Sequence, residues 1–177
     1  VTSIGTTAFG SAGLQSVTIP DSVTSIGTTA FYNCTALDSV TIGDSVTSIG
    51  NQAFHYCSSI TTLVLKNPFF SDRSHSIEHY FPNSRTVVTN LTIDSAFTKI
   101  GYRAFRNCHN LMSLTIGNTT TSISTQAFYN CYKLQSLIIG DSMTTIGTQS
   151  FRNCRDLQSV TIPDSVTVIN NRSFMGC

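Results

Sequence analysis

The stretch from Val23 to Ser45 reads VTSIGTTAFYNCTALDSVTIGDS, and Val46 starts the same pattern again with VTSIG. The repeating unit is therefore 23 residues long. A fixed period of roughly 20–50 residues predicts a repeat architecture, in which each unit buries its apolar side against its neighbours. Copies of the unit start at Val1, Val23, Val46, Phe97, Thr120, Met143 and Val166, with a degraded copy near Phe69.

Each unit contains one segment with the alternation of a half-buried β-strand. In the second unit Val40 and Ile42 alternate with Ser39 and Thr41, so the apolar pair is predicted to point inward and the hydroxyl pair outward. Strands that recur after a crossover must pair in parallel, so the sequence predicts one parallel sheet of seven strands. The segments with this pattern are 14–20, 37–43, 60–66, 88–94, 111–117, 134–140 and 157–163.

Three other positions of the unit are predicted to be buried or tightly packed. Eight of the eleven phenylalanines fall in one register and should stack, with Tyr80-Phe81 at this place in the degraded unit. All six cysteines share a second position, which favours buried free thiols, although a disulfide between adjacent coils is geometrically feasible. The glycine after the repeated isoleucine, Gly27 in the second unit, is predicted to need a positive φ or a close backbone approach, and Asn170 replaces it in the last unit.

The pattern LxxVxIPxxVxxIGxxAFxxC resembles the BspA-like class of leucine-rich repeat over nearly the whole chain. The resemblance implies an α/β fold: a leucine-rich-repeat solenoid, or horseshoe, with a parallel β-sheet on the concave face and short helical or irregular segments on the convex face. We expect residues 1–177 to form a single solenoid of about seven coils plus a partial one, as a piece of a longer chain. Many members of the family resemble surface or secreted adhesins that bind host matrix proteins, whereas the role of others is unknown.

The composition argues against several classes of partner. Charged residues are 11% of the chain and the net charge is +1, so no global field attracts the chain to nucleic acid. No apolar run approaches the roughly 20 residues of a membrane-spanning helix. The charge is uneven, because residues 1–65 contain three Asp and no Lys or Arg, whereas residues 66–177 contain ten basic and six acidic residues. We therefore predict no nucleic-acid partner and no membrane span.

One coil, residues 66–96, departs from the pattern. Its segment 66–86 replaces the usual VTSIGxxAFxxC and has no cysteine at the repeat position. Such an insertion is either tolerated on a loop or builds a binding surface, because binding residues concentrate in loops on rigid scaffolds. The candidate binding residues in this coil are Phe70, Arg73, His75, Glu78 and His79.

The last three of these candidates match the HxxEH pattern of zinc proteases, in which two histidines bind the metal and the glutamate acts as the base. A match over five residues is a weak signal. A working site also needs a third ligand, a long helix and a cleft, for which a coil of this length has little room. We therefore predict no catalytic residue, no metal site and no cofactor.

The outward positions of the predicted strands form an array of Ser and Thr with almost no charge. This array is a solvated face, a docking face for a protein or a glycan, or an ice-binding face, and the curvature of a leucine-rich-repeat sheet argues against the last. The candidate binding residues of the array are Ser39, Thr41, Thr62, Asn90, Thr92 and Thr115.

Residues that flank the Phe–Cys segment become basic and aromatic late in the chain. They are either ordinary polar surface or a lateral docking patch for an acidic partner, since Arg and Tyr are enriched at interfaces. The candidate binding residues on this side are Arg103, Arg106, Tyr129, Tyr132, Arg152 and Arg155.

The sequence thus favours a non-enzymatic protein-interaction module whose partner is another protein, with a glycan or a matrix protein as further options. The leading interpretation is an adhesion module that is extracellular or on the cell surface. The alternative is a structural scaffold subunit within an intracellular or organellar assembly, docked through its basic Arg/Tyr side.

Overall fold

The computed structural model describes residues 1–66, 71, 76–94 and 97–177. In these residues the chain forms a β-solenoid of about seven turns with few helices. All of the strand pairs are parallel, as expected when each strand is followed by a crossover to the next coil. The predicted solenoid fold is confirmed.

Every strand comes from one of two segments of the repeat, a two-residue Ser-Ile type segment or a longer segment that carries the alternation. The strands are β1 (Ser3–Ile4), β2 (Ser16–Ile19), β3 (Ser25–Ile26), β4 (Ser39–Ile42), β5 (Ser48–Ile49), β6 (Thr62–Leu65), β7 (Asn90–Ile93), β8 (Lys99–Ile100), β9 (Ser113–Ile116), β10 (Ser122–Ile123), β11 (Ser136–Ile138), β12 (Thr145–Ile146) and β13 (Val168–Ile169). The helices of the described residues, α1 (Ile77–Tyr80) and α2 (Ser84–Val87), both lie in the irregular coil.

The longer strands form one sheet in the order β2-β4-β6-β7-β9-β11. Neighbouring strands align residue for residue, so that Val40 of β4 lies between Val17 of β2 and Leu63 of β6. Val40 and Ile42 are fully buried, as the alternation predicts. A slip by one residue would turn these side chains to the opposite face, so burial fixes the register.

The predicted seventh strand, residues 157–163, does not join this sheet, which has six strands in the described part of the chain. The segment still packs Val160 and Ile162 against the core, but both are only partly buried. An edge position alone does not account for this difference, because β2 also lies at an edge of the sheet and pairs with β4 over all four of its residues.

Two further sheets are built from the Ser-Ile segments and have the orders β1-β3-β5 and β8-β10-β12-β13. The alternation rule does not predict them, because two residues are too few to display a period. Of their isoleucines, Ile26, Ile100, Ile123 and Ile146 are fully buried, whereas Ile169 in β13 is 51% exposed. The five coils that start at Val1, Val23, Val46, Phe97 and Thr120 thus contribute two strands each, whereas the described part of the irregular coil contributes β7 alone.

Most copies have glycine after this isoleucine, where adjacent coils approach closely, although Ser124 and Asn170 occupy the position in two copies. A Cβ atom on Gly50 would lie 2.4 Å from the backbone nitrogen of Thr28, which cannot move aside. This position does not need a positive φ, and Asn170 has none either; its side-chain amide donates instead to the Ile146 carbonyl at 3.2 Å. The close-approach prediction is confirmed, and the positive-φ alternative is wrong.

The Phe–Cys segment alternates two kinds of backbone hydrogen bond. The Phe31 N–H donates to the Ala53 carbonyl of the next coil at 2.8 Å, whereas the Tyr32 N–H closes a turn within its own coil by donating to the Thr29 carbonyl at 3.0 Å. This alternation places non-glycine residues in the left-handed region at two positions of the repeat. They are Thr7, Ser11, Thr29, Asn33, Gln52, Tyr56, Arg103, Asn107, Gln126, Asn130, Gln149, Asn153 and Arg172.

The phenylalanines that open this segment stack face to face along the solenoid. Phe31 lies between Phe9 and Phe54, with ring centroids 5.1 and 5.0 Å apart. Phe54 continues to Phe81 at 4.6 Å, so Phe81 rather than Tyr80 occupies this place in the irregular coil. The stack also joins Phe105, Phe128, Phe151 and Phe174, at 5.3, 5.2 and 5.3 Å. The predicted aromatic spine is confirmed for these pairs.

All six cysteines are free, and five are buried while Cys177 is exposed. The thiols do more than fill volume, because most of them donate to a phenylalanine carbonyl in the preceding coil. The Cys34 thiol donates to the Phe9 carbonyl and the Cys57 thiol to the Phe31 carbonyl, both at 3.0 Å. The prediction of free thiols is confirmed, and the hydrogen bond explains why the position favours a weak donor over a plain apolar residue.

Candidate interaction surfaces

The outward side chains of the six-stranded sheet form the first candidate surface, the strand face. Parallel register aligns these side chains in rows that cross the strands. The candidate residues lie in two rows, Ser39, Thr62 and Asn90 in one and Thr41, Thr92 and Thr115 in the other. The fold therefore brings all six of them together on one side of the sheet.

The strand face offers hydroxyl and amide groups without charge. Asn90 is exposed and its Nδ2 donates to Thr89 Oγ1 at 3.0 Å, while Thr41 and Thr92 are half-buried. Val64 and the exposed Ile138 interrupt the polar array. Neutral groups of this kind are compatible with a hydrated surface and with a docked protein or glycan, so this face by itself selects no partner.

In the irregular coil, an ion pair between the Glu78 carboxylate and the Arg85 guanidinium links α1 to α2. His79 is exposed, and its ring makes an edge contact with Tyr80 at a centroid distance of 4.7 Å. The other candidates of this coil, Phe70, Arg73 and His75, lie outside the described residues. The carboxylate that the zinc-protease pattern would use as a base is thus held by a cation. No three potential metal ligands come together within residues 1–66, 71, 76–94 and 97–177.

The second candidate surface flanks the Phe–Cys segment of the later coils, and its residues follow one another from coil to coil. One row consists of the residues that directly follow the stacked phenylalanines. Here the guanidinium carbons of Arg106 and Arg152 lie 5.1 and 5.8 Å from the ring centroid of Tyr129. Both distances fall within the roughly 6 Å range of a cation–π contact. We call the whole surface the Arg/Tyr face and define it as Arg103, Arg106, His109, Tyr129, Tyr132, Arg152 and Arg155.

A second, parallel row consists of the residues that directly follow the cysteines. The His109 ring stacks on the Tyr132 ring with centroids 5.0 Å apart, and the Arg155 guanidinium carbon lies 5.0 Å from the same ring centroid. Each ring in the two rows therefore contacts a planar cationic or aromatic group from a neighbouring coil. Stacking on rigid rings restricts the guanidinium groups before any partner binds.

Arg103 lies at the edge of this face and is held by a polar ladder. Its Nε donates to Gln126 Oε1 at 2.8 Å, and Gln126 Nε2 donates to Gln149 Oε1 at 2.7 Å. The Arg103 guanidinium carbon also lies 4.7 Å from the ring centroid of Tyr102. The structure thus places Arg106, Tyr129 and Arg152 in one row, Tyr132 and Arg155 in a second row, and Arg103 in a separate ladder with Gln126.

The cations of the Arg/Tyr face have no carboxylate partner in the described part of the chain. The ion pair found there joins Arg85 to Glu78, in the irregular coil. The Nε atoms of Arg106 and Arg152 are buried and have no hydrogen-bond acceptor there. A buried donor without an acceptor costs free energy. Because both Nε atoms are shielded from solvent, a partner could reach these guanidinium groups only through their terminal nitrogens.

A row of asparagines beside this face was not predicted. Asn130 Nδ2 donates to Asn107 Oδ1 at 3.1 Å, and Asn153 Nδ2 donates to Asn130 Oδ1 at 2.9 Å. All three residues have a left-handed backbone, which Asn tolerates better than most residues. The recurrence of Asn directly before Cys is the sequence signal that could have predicted this row.

A polar groove of about 430 Å³ lies along the four-stranded sheet and was also not predicted. The residues that line it include Lys99, Ser122, Thr145, Thr148 and Asn170. These residue types recur throughout the chain, so nothing in the sequence distinguishes the positions that line the groove.

The buried cysteines are poor nucleophiles. Burial raises the pKa of the Cys57 thiol to about 11 and that of the Cys108 thiol to about 12. Because the thiolate is the reactive species, both groups are almost entirely in the unreactive protonated form at neutral pH. These thiols are therefore part of the packing and supply no catalytic centre.

Comparisons with solved structures find other leucine-rich repeat proteins. The leucine-rich repeat protein of T. pallidum is 26% identical, with a TM-score of 0.52 over 90% of this chain and 72% of that chain. A leucine-rich cell surface protein of Faecalibacterium prausnitzii A2-165 is 22% identical, with a TM-score of 0.46 over 100% and 75%. The pneumococcal vaccine antigen PcpA is 17% identical, with a TM-score of 0.46 over 96% and 50%. A search of curated proteins finds no match.

The helices in the described part of the chain are too short and too polar to cross a membrane. Leucine-rich repeat proteins of this type are non-enzymatic repeat proteins that typically bind other proteins. The model of the BspA type leucine-rich repeat region, in six copies, matches residues 2–80 and 75–177. The chain therefore belongs to the BspA-type leucine-rich repeat family.

Proposed function

We propose that this protein is a non-enzymatic binding module of the cell surface or of the secreted fraction, and that it holds a protein partner on its Arg/Tyr face. The observation that carries this proposal is the pair of stacks around Tyr129 and Tyr132. They present guanidinium groups that have no carboxylate partner among the described residues. Arg and Tyr are also, together with Trp, the residue types that are enriched among those that dominate the binding energy of protein interfaces.

The use of the repeat positions supports a binding role over a catalytic one. The repeated Ile, Ala, Phe, Cys, Leu and Val positions of the inner coils are buried in the core. The residues that remain free to vary lie on extended outer surfaces, where solenoids bind large partners. Specificity would then come from the positions at which the copies differ, and the Arg/Tyr face is the most distinctive of these.

The proposed location rests on the family, many of whose members resemble surface or secreted adhesins. The thiols are compatible with this location, although an oxidising environment favours disulfides. The raised pKa of Cys57 and Cys108 keeps these buried groups protonated, and protonated thiols oxidise slowly. Free cysteines of this kind can therefore persist outside the cell.

The same face also supports a second candidate function, a structural scaffold subunit of a larger assembly. A stable subunit would copurify with fixed partners in constant stoichiometry, whereas an adhesion module would be isolated alone and would bind its ligand when the ligand is added. Purification of the full chain from its native source under mild conditions separates these two functions.

The proposed function is tested by capturing partners from the native source on immobilised protein. Three variants are compared with the unaltered chain: Arg106→Gln with Arg152→Gln on the Arg/Tyr face, Ser113→Ala with Thr115→Ala on the strand face, and replacement of residues 66–86 by the regular coil sequence. We expect a protein that the first variant loses and the other two retain, and whose binding is then reproduced with purified components. Equal capture by the first variant, or no specific partner at all, would contradict the proposal.

A further inference from the structure

We infer that the ligand of the Arg/Tyr face is an acidic protein segment in an extended conformation, which runs across the coils and places its carboxylates on Arg106 and Arg152. This inference rests on the proposed function and adds the chemistry of the partner to it. Three features of the face carry it: its charge, its guanidinium groups held on one tyrosine ring, and the distance between the two arginines.

The net positive charge of residues 97–177 favours an anionic partner. Residues 97–177 contain seven basic and three acidic residues. Two of the acidic residues, Asp141 and Asp164, follow the strand segments and belong to turns. The third, Asp156, is adjacent to Arg155 but forms no ion pair in the described residues. The positive charge of the face is therefore not neutralised from within the described part of the chain.

The donors of the face are suited to carboxylates. The guanidinium groups of Arg106 and Arg152 stack on the Tyr129 ring from neighbouring coils, and since both Nε atoms are buried, the terminal nitrogens are the donors that a partner would meet. A carboxylate can accept two parallel N–H bonds from one guanidinium, which makes this pair geometrically specific. Since the rings already restrict both side chains, little side-chain freedom remains to be lost when a partner binds.

The spacing of these donors suits an extended chain. Arg106 and Arg152 lie two coils apart, which corresponds to about 10 Å at the usual separation of parallel strands. A polyproline II segment rises about 3.1 Å per residue, so residues three apart lie on the same side at about 9 Å. An acidic residue at every third position of a peptide would therefore meet the two arginines in turn.

The surroundings of the arginines favour a protein over other polyanions. Uncharged rings and amides, among them Tyr129, Tyr132, Gln126 and Asn130, separate the cations from one another. Surfaces that bind nucleic acid by its phosphates instead use dense basic stripes in strongly basic domains. With a net charge of +1, this chain lacks such a field. Tyr and Arg together, flanked by amides, are typical of protein interfaces.

The test measures the dissociation constant of a fluorescent peptide with Glu at every third position, by anisotropy, at about 25 and 150 mM salt. A matched peptide with Gln in place of Glu is the control ligand. We expect the full chain to bind the Glu peptide at least about tenfold more tightly than the Gln peptide, and more weakly at the higher salt concentration. Equal binding of the two peptides would overturn the inference.

Charge-matched variants locate the binding site. Arg106→Gln with Arg152→Gln should weaken binding by about tenfold or more, whereas Lys66→Gln with Lys99→Gln, which removes the same charge elsewhere, should change it less than about twofold. Arg106→Lys with Arg152→Lys keeps the charge but not the planar fork, and should give an intermediate loss. Equal losses of affinity in the first two variants would show that net charge alone explains the binding of the peptide, and would contradict the inference.

Two further ligands test the class of partner. If single-stranded DNA or a sulfated polysaccharide bound this face more tightly than the Glu peptide at the higher salt concentration, the partner class would be wrong.

The inference and the proposed function fail separately. A native partner that needs Arg106 and Arg152 but is not displaced by the Glu peptide would refute the acidic segment and leave the proposed function intact. Loss of all specific binding to this face would refute both.

Discussion

The side-chain amide of Asn130 donates to Asn107 Oδ1 in the preceding coil at 3.1 Å, and both residues have a left-handed backbone, with φ of 63° and 64°. The same residue type thus meets two demands at one position. It tolerates a conformation that most residues avoid, and it carries a hydrogen bond from one coil to the next. Asn153 repeats the arrangement, with φ of 64° and a bond of 2.9 Å to Asn130.

This double role predicts a graded response at Asn130. Asn130→Ala should lower the free energy of unfolding by about 2–3 kcal/mol, because it loses both amide bonds and keeps the unfavourable φ. Asn130→Gly should destabilise the protein by about 1 kcal/mol less than Asn130→Ala does, because glycine adopts this φ without a steric cost. Urea unfolding followed by circular dichroism measures both values. If the two variants were equally stable, the backbone conformation would play no part.

The glycine after the repeated isoleucine provides a test with a built-in control. Gly50→Ala should destabilise the protein by about 1–3 kcal/mol, because the added Cβ would lie 2.4 Å from the Thr28 backbone nitrogen. Gly5 occupies the same repeat position, yet a Cβ there would meet no atom within 4 Å, so Gly5→Ala should be nearly neutral. Thermal unfolding of the two variants compares them directly. Equal shifts of Tm would contradict the close approach between coils.

The aromatic spine should depend on position along the stack. Phe128 is fully buried between Phe105 and Phe151, so Phe128→Ala should cost about 3–5 kcal/mol. Phe9 is 40% exposed and stacks on Phe31 alone in the described residues, so Phe9→Ala should cost about 1 kcal/mol. Chemical denaturation measures the difference, and similar losses at both sites would mean that stacking contributes little.

The buried thiols predict a loss of stability in alkaline solution. Burial raises the pKa of Cys108 from 9.0 to about 12, although the nearby Arg85 opposes the shift. Because the folded pKa lies above the unfolded one, the stabilisation is complete below pH 9 and is lost as the pH rises toward 12. Cys108→Ala should reduce the slope of unfolding free energy against pH in this window by up to about 1.4 kcal/mol per pH unit. An unchanged slope would show that this thiol does not titrate on unfolding.

The repeat made the interior of the fold predictable. A fixed period aligns equal residues in adjacent coils, so the alternation at Val40 and Ile42, the phenylalanine stack and the buried thiols could all be predicted from one unit. The absence of strand pairing at 157–163 could not be predicted, because all seven segments carry the same pattern. The Ser-Ile strands could not be predicted from the sequence either, because two residues are too few to display a period.

The candidate surfaces were only partly predictable. The sequence indicated which coils carry Arg106, Tyr129 and Arg152, and the strand spacing implied that they are neighbours. It did not predict that the two guanidinium groups contact one ring or that their Nε atoms lack acceptors, because both depend on side-chain rotamers. Arg103, Gln126 and Gln149 have a left-handed backbone that these residue types do not signal, so their ladder was unpredicted.

The most direct test of the account is a nuclear magnetic resonance titration of the arginine Nε–Hε signals with the Glu peptide. The full chain, labelled with ¹⁵N, is titrated to saturation, and the signals are assigned by single Arg→Gln substitutions. The account predicts that the signals of Arg106 and Arg152 shift together as the peptide binds, while the amide signals of Thr41 and Thr92 on the strand face stay in place. Shifts confined to the strand face, with both arginine signals unchanged at saturation, would contradict the claim that the Arg/Tyr face is the binding surface.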